Sequence, residues 1–181
     1  MTPPRPRRVD PGRRDRIVDA CLDVIAASGV AGTSHRTVAA AADVPLGSMT
    51  YHFTGMDELL REAFTRFAAA QSEGLEDAMA AASDRDEARD AVVALVTGTA
   101  GRRDLVLTHE LYTLAAREPA FRDLTNAWMA RSRRALERHF DPETTRMLDA
   151  LVEGLAIHRA LDTDPAQAAD AAEAVRRITS G

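Results

Sequence analysis

The stretch Thr33–Phe53, TSHRTVAAAADVPLGSMTYHF, decides how this chain is read. Ser34 is a good N-cap residue, and Val38, Ala39 and Ala42 follow at the spacing of one helical face, which predicts a short helix from about His35 to Ala42. Asp43, Val44 and Pro45 break it, because Asp favours turns and the residue before a proline is driven out of the helical region. Gly47 lies in or just after the turn, where a missing Cβ permits an unusual φ or a close approach of the backbone to something else. A second short helix, Ser48–His52, carries Ser48, Thr50, Tyr51 and His52 on its expected outer side, anchored by Met49 and Phe53 four residues apart. Small polar and aromatic donors on an exposed helix suit phosphates and base edges, so the pair reads as a helix-turn-helix device for DNA. The plainer alternative is a helical hairpin that only packs.

Working outward, residues 13–62 resemble the DNA-binding domain of the TetR family of bacterial transcriptional regulators. Ser34, Arg36, Val38, Ala39, Ala42, Val44, Gly47, Ser48, Met49, His52, Phe53, Asp57, Glu58 and Leu59 carry the resemblance. It implies that Gly47, Ser48, Thr50, Tyr51 and His52 meet the groove and its phosphates, and that Ser34 and Arg36 meet the backbone. It further implies a homodimer on a near-palindromic operator and a small-molecule effector, the protein acting as a repressor. Thr50 stands where the family usually has a tyrosine and Met56 where it usually has a lysine, both of which touch the DNA backbone. Those departures motivate the rival reading, a helical ligand-binding or adaptor protein with weak or lost DNA binding.

Composition limits the rest. Hydrophobic residues make up 45% of the 181, enough for a core, while few runs are rich in Val, Ile or Thr and none alternates, so the chain is expected to be all-α. The net charge of -5 is unevenly spread. Residues 1–56 hold seven arginines against five aspartates, a net +2, which leaves -7 for the remainder. A basic head on an acidic body suits a DNA reader whose other half does something else. Every basic residue other than histidine is arginine. Cys21, the single cysteine, sits on the apolar side of the first helix, where a buried thiol and a redox sensor are both readable. No run reaches a membrane span and no signal core is evident, so a cytoplasmic protein without a membrane partner is expected.

The expected organisation is a disordered basic arm (1–11), a helix-turn-helix domain (12–56) and a ligand-binding and dimerisation body (57–181), with about nine helices in all. The first helix is expected over Gly12–Ser28, ending at Gly29. A long fourth helix should run from Asp57 to about Ala82. Asp84 and Glu87, spaced like a capping box, should open a fifth that ends at Gly101. A sixth, Arg103–Arg117, is apolar on nearly every side and is expected to be the most buried, followed by one over Pro119–His139. Asp141-Pro142 and Asp164-Pro165 each place an N-cap residue before a proline, predicting final helices over 142–162 and 165–179. The family resemblance makes these the dimer pair, with Leu148, Leu151, Val152, Leu155, Ala172 and Val175 in the seam; packing inside one chain is the alternative.

The five histidines show no zinc spacing, no phosphate loop is present and no catalytic constellation emerges, so no metal, no cofactor and no enzyme are expected. His109, Glu110, Tyr112, Trp128 and His158 are polar or aromatic residues within apolar helices, the composition of a small-molecule pocket, although such residues on an apolar helix face are more often satisfied core.

Overall fold

Most helix boundaries trace to a residue that starts or stops the helix. The computed structural model describes residues 10–98, 101–161 and 167–180, and within them the fold is all-α, with nine α-helices and no strand. Helix α1 (Arg13–Ser28) buries Ile17, Val18, Cys21, Leu22 and Ile25, spaced along one face. It stops at Gly29, whose φ of 67° an L residue rarely adopts. A single 3-10 turn, Val30–Gly32, follows; a Cβ on Gly32 would lie 2.7 Å from that of Ser28. Helix α2 (His35–Ala41) opens on a reciprocal box. The Thr37 amide donates to Ser34 Oγ at 3.2 Å, and the Ser34 amide donates to Thr37 Oγ1 at 2.8 Å.

The turn into α3 (Gly47–His52) differs from expectation at one residue. The positive φ, 51°, belongs to Asp43. Aspartate tolerates the left-handed region because its short side chain bonds locally, so the turn needs no glycine there. Gly47 is instead the first residue of α3, exposed, with nothing within 4 Å of where a Cβ would stand.

Helix α4 (Met56–Ala81) runs unbroken through Gly74. Its first turns are held to α1 by Arg14, which pairs with Glu62 and, at 3.3 Å, with Glu58, while its guanidinium lies 4.6 Å over the Phe53 ring. Glu58 also accepts from the amide and hydroxyl of Thr54, both at 2.8 Å. The chain divides into two compact units, Met1–Ala63 and Phe64–Gly181, so these first turns of α4 fall with the head rather than with the body. Residues 1–9 of the expected arm lie outside the described residues.

In the second unit, α5 (Arg85–Thr97) is capped by Asp84, which accepts from the amides of Asp86 and Glu87, both at 2.9 Å. It ends at Gly98, before the Gly101 expected. Helices α6 (Arg102–Arg117) and α7 (Pro119–Leu136) follow. Asp141 opens α8 (Pro142–Leu161), accepting from the Thr144 hydroxyl at 2.6 Å and from the Thr144 and Glu143 amides, and these bonds hold its carboxyl down at about 2. The Asp164-Pro165 start expected for α9 (Gln167–Thr179) lies outside the described residues.

Met79, Val92, Leu136, Leu148 and Val175, one from each of α4, α5, α7, α8 and α9, are buried in one core. Burial of each such side chain stabilises by roughly 1.5–3 kcal/mol. Arginines tie neighbouring helices: Arg131 of α7 grips Glu76 of α4, Arg133 of α7 reaches Asp149 of α8 at 2.8 Å, and Arg89 of α5 reaches Thr179 of α9 at 2.7 Å. Helix α6 is not the most buried helix. Only Leu107, Leu111 and Ala115 of it are buried, because another of its flanks faces a cavity.

Candidate functional site

Two features of the chain invite partners. The first is the outer surface of α2 and α3. Tyr51 is 84% exposed, so packing gives no reason for a phenol there; its ring meets only the edge of His52, with centroids 4.9 Å apart at 88°. Arg36, Gly47 and Thr50 are also exposed, and Thr50 Oγ1 donates to the Gly47 carbonyl at 3.3 Å. Ser34 is exposed, but its hydroxyl is engaged in the α2 cap. Ser48 departs from the outward placement expected of it. It is 8% exposed, because α3 turns Ser48 and Met49 together toward the interior. Its side chain is therefore not available to a partner, whereas Gly47, Thr50 and Tyr51 form the open face.

The second is a cavity of about 180 Å³ within the body. Leu75 of α4, Val92 and Val96 of α5, Leu105 of α6, Met129 and Leu136 of α7 and Val152 and Ile157 of α8 give it apolar walls. Two aromatic rings line it, Tyr112 and Trp128. Tyr112 and Trp128 stack with centroids 6.1 Å apart at 23°, and Phe67 meets Trp128 edge-on at 5.9 Å. The charged lining is acidic, Asp104, Asp149 and Glu153 with His109 and no arginine, and Gln71, Thr108 and Ser132 add neutral polar groups. His109 Nδ1–H donates to the Leu105 carbonyl at 2.8 Å, which fixes the ring. The Tyr112 hydroxyl donates to Glu153, and burial with the nearby carboxylates raises the phenol above its ordinary value. Burial likewise raises Glu153, Asp149 adding to it, while the Tyr112 hydrogen bond and His109 act the other way.

Of the five pocket residues expected, His109, Tyr112 and Trp128 come together in this lining; Glu110 and His158 are not part of it, and His158 is exposed. Asp149 and Glu153 were not anticipated. Their signal is the face Asp149, Val152, Glu153, Ala156, Ile157, an i, i+3, i+4, i+7, i+8 stripe in which acids replace two apolar residues.

Residues 17–63, which contain α2 and α3, match the family model for bacterial regulatory proteins, tetR family. Residues 83–181 match that for the tetracyclin repressor-like C-terminal domain. The chain belongs to the TetR family of transcriptional regulators. TetR-family likeness extends over nearly the whole chain among solved structures. The protein SCO7518 of Streptomyces coelicolor A3(2) is 57% identical, with a TM-score of 0.87, over 94% of this chain and 100% of that one. The multidrug binding protein EbrR, complexed with ethidium, is 35% identical with a TM-score of 0.75, over 92% and 98% of the two chains. SCO1917, a TetR-family member from Streptomyces coelicolor A3, is 35% identical with a TM-score of 0.76, over 92% and 97%. No curated protein sequence matches.

In this TetR-family chain the six residues expected in a dimer seam separate into groups. Leu148 and Val175 are wholly buried in the chain's own core and offer no surface to a second copy. Val152 lines the cavity, and Leu151, Leu155 and Ala172 are half-buried. The large apolar residues that α8 leaves exposed are Met147 and Leu161, on the open side that also carries Gly154, whose missing Cβ would meet nothing within 4 Å. Among the described residues no cluster of His, Cys, Asp or Glu is arranged to hold a metal, and no helix is long and apolar enough to cross a membrane. Cys21 is fully buried, and burial pushes its thiol up to about 12, which makes it a poor redox sensor.

Proposed function

We propose that this TetR-family regulator is a homodimeric repressor, acting in the cytoplasm on a near-palindromic operator and released from it by a cationic aromatic effector bound in the body cavity. The observation that carries the effector class is the cavity lining: flat aromatic faces beside carboxylates, with no lysine or arginine. Such a wall attracts a delocalised cation through ring faces and carboxylate charge together. The complexes of EbrR with ethidium and with proflavin support the same class. DNA reading is supported by the open face of α3, and a two-fold dimer would set two such helices about 34–36 Å apart in successive major grooves. Helix α4 supplies Glu58 and Glu62 to the head and Gln71 and Leu75 to the cavity wall, so a ligand that prefers one setting of this helix shifts the population of head arrangements.

Sequencing the duplexes that the purified protein retains from a random pool, then adding ethidium, tests the reading. An enriched near-palindrome that ethidium releases supports it; no enrichment at any salt concentration overturns it in favour of a helical ligand-binding protein without DNA function. A dilute sample that sediments as a monomer at every concentration removes the dimer.

Met56 gives a sharper measurement. It is the first residue of α4 and half-buried. If this helix start faces a phosphate, Met56→Lys adds one cationic contact per subunit, tightens specific and non-specific binding alike, and steepens log K against log[salt] by about 0.9 per contact. If the thioether packs instead, the substitution lowers the melting temperature and leaves the slope unchanged.

A further inference from the structure

The three cavity carboxylates are not equivalent. Asp149 is paired with Arg133 at 2.8 Å, and Asp104 has Arg103 at 3.8 Å. Among the described residues no arginine pairs with Glu153; its polar neighbour is the Tyr112 hydroxyl. The other elements bring nothing cationic to this spot except His109 of α6. Helix α4 presents Gln71 and Leu75, α5 presents Val92, Leu95 and Val96, and α7 presents Trp128, Met129, Ser132 and Leu136. A carboxyl so placed loses hydration without gaining a counter-charge.

We propose that Glu153 is the residue by which this cavity tells a cationic aromatic from a neutral one of the same shape, and that entry of the cation drives a proton off its carboxyl. The inference rests on the reading of the cavity as the effector site. At a pH where the Glu153 carboxyl of the empty cavity carries its proton, its carbonyl oxygen accepts from Tyr112. A cation lying along the Tyr112 and Trp128 rings supplies the missing counter-charge. The carboxyl O–H bond then breaks, its electron pair stays on oxygen, and the proton passes to the buffer. One positive charge enters as another leaves, so the cavity keeps its net charge. A neutral ring system triggers no such exchange and gains nothing from Glu153. Asp149 does not share the role, because Arg133 already pairs with it at 2.8 Å.

Ethidium, a cation at every working pH, is the probe. Calorimetric titration of the whole protein at mildly acidic pH, in buffers of different ionisation enthalpy, is expected to show release of up to about one proton per site, with affinity rising by up to about tenfold per pH unit. E153Q is expected to abolish both the proton release and the pH dependence and to weaken ethidium by about tenfold or more. It should leave uncharged phenanthridine at neutral pH bound as before. D149N is expected to retain the proton release. Ethidium binding with no buffer dependence overturns the proposal while leaving the effector site standing, as does release that persists in E153Q or vanishes only in D149N. Absence of ethidium binding overturns the effector-site reading and this inference with it. Should E153Q fail to fold, the buffer dependence of the unmodified protein and of D149N still decides.

Discussion

Phe121→Ala is expected to destabilise the body by about 3–5 kcal/mol, the cost of truncating a buried phenylalanine in a site that cannot fully collapse. Phe121 is 1% exposed, and its ring meets Phe64 edge-to-face with centroids 6.1 Å apart at 88°. Alanine therefore forfeits both the transfer of the ring out of water and an aromatic pairing of about 0.5–1.5 kcal/mol, and leaves a void that helices α4 and α7 must close. Trp128, the chain's single tryptophan, lies in the same unit, so its fluorescence during urea unfolding at fixed protein concentration reports this loss directly. Phe121→Leu should cost much less, since leucine refills most of the volume. A loss below about 1 kcal/mol for the alanine variant would mean that the site is not packed as described.

Tyr51→Ala is expected to weaken operator binding by about 1–3 kcal/mol while leaving thermal stability within roughly 0.5 kcal/mol of the parent. The reasoning is the converse of that for Phe121. An almost wholly exposed phenol holds nothing in the fold, so any energy it carries belongs to a partner. Arg36→Ala should act differently, weakening all DNA sequences alike and reducing the salt slope, as for a phosphate contact. Titrating a selected operator and a scrambled duplex at several salt concentrations separates the two. Normal operator affinity in Tyr51→Ala, or a head that unfolds, would contradict the role given to the open face of α3.

The helices were legible because their ends are punctuated chemically. Gly29 supplies a left-handed stop, Ser34, Asp84 and Asp141 cap their helices through side-chain oxygens, and Pro142 stands at a first helical position. What escaped were features fixed by tertiary placement. The sequence pointed to Gly47 for an unusual backbone angle, yet Asp43 adopts it, because two residue types tolerate that region and only the path of the turn chooses between them. Ser48 was set outward because a six-residue helix is too short for periodicity to fix its inner face. Helix α6 read as fully buried because an apolar flank facing a cavity and one facing a core have the same composition. Glu153 was not singled out for a related reason: nothing local reveals that Tyr112, forty-one positions earlier, donates to it.

The chain carries its own pair of reporters, one in each unit. Cys21, the sole cysteine, is fully buried in the head, and Trp128, the sole tryptophan, belongs to the body. A thiol-reactive reagent can reach Cys21 only when α1 opens away from its neighbours, so the rate of its labelling, in the limit of fast reclosing, measures the free energy of opening the head alone. The stability of head and body, and the transfer of any stabilisation from one to the other, can thus be followed on the native sequence without introducing a new reporter residue into either.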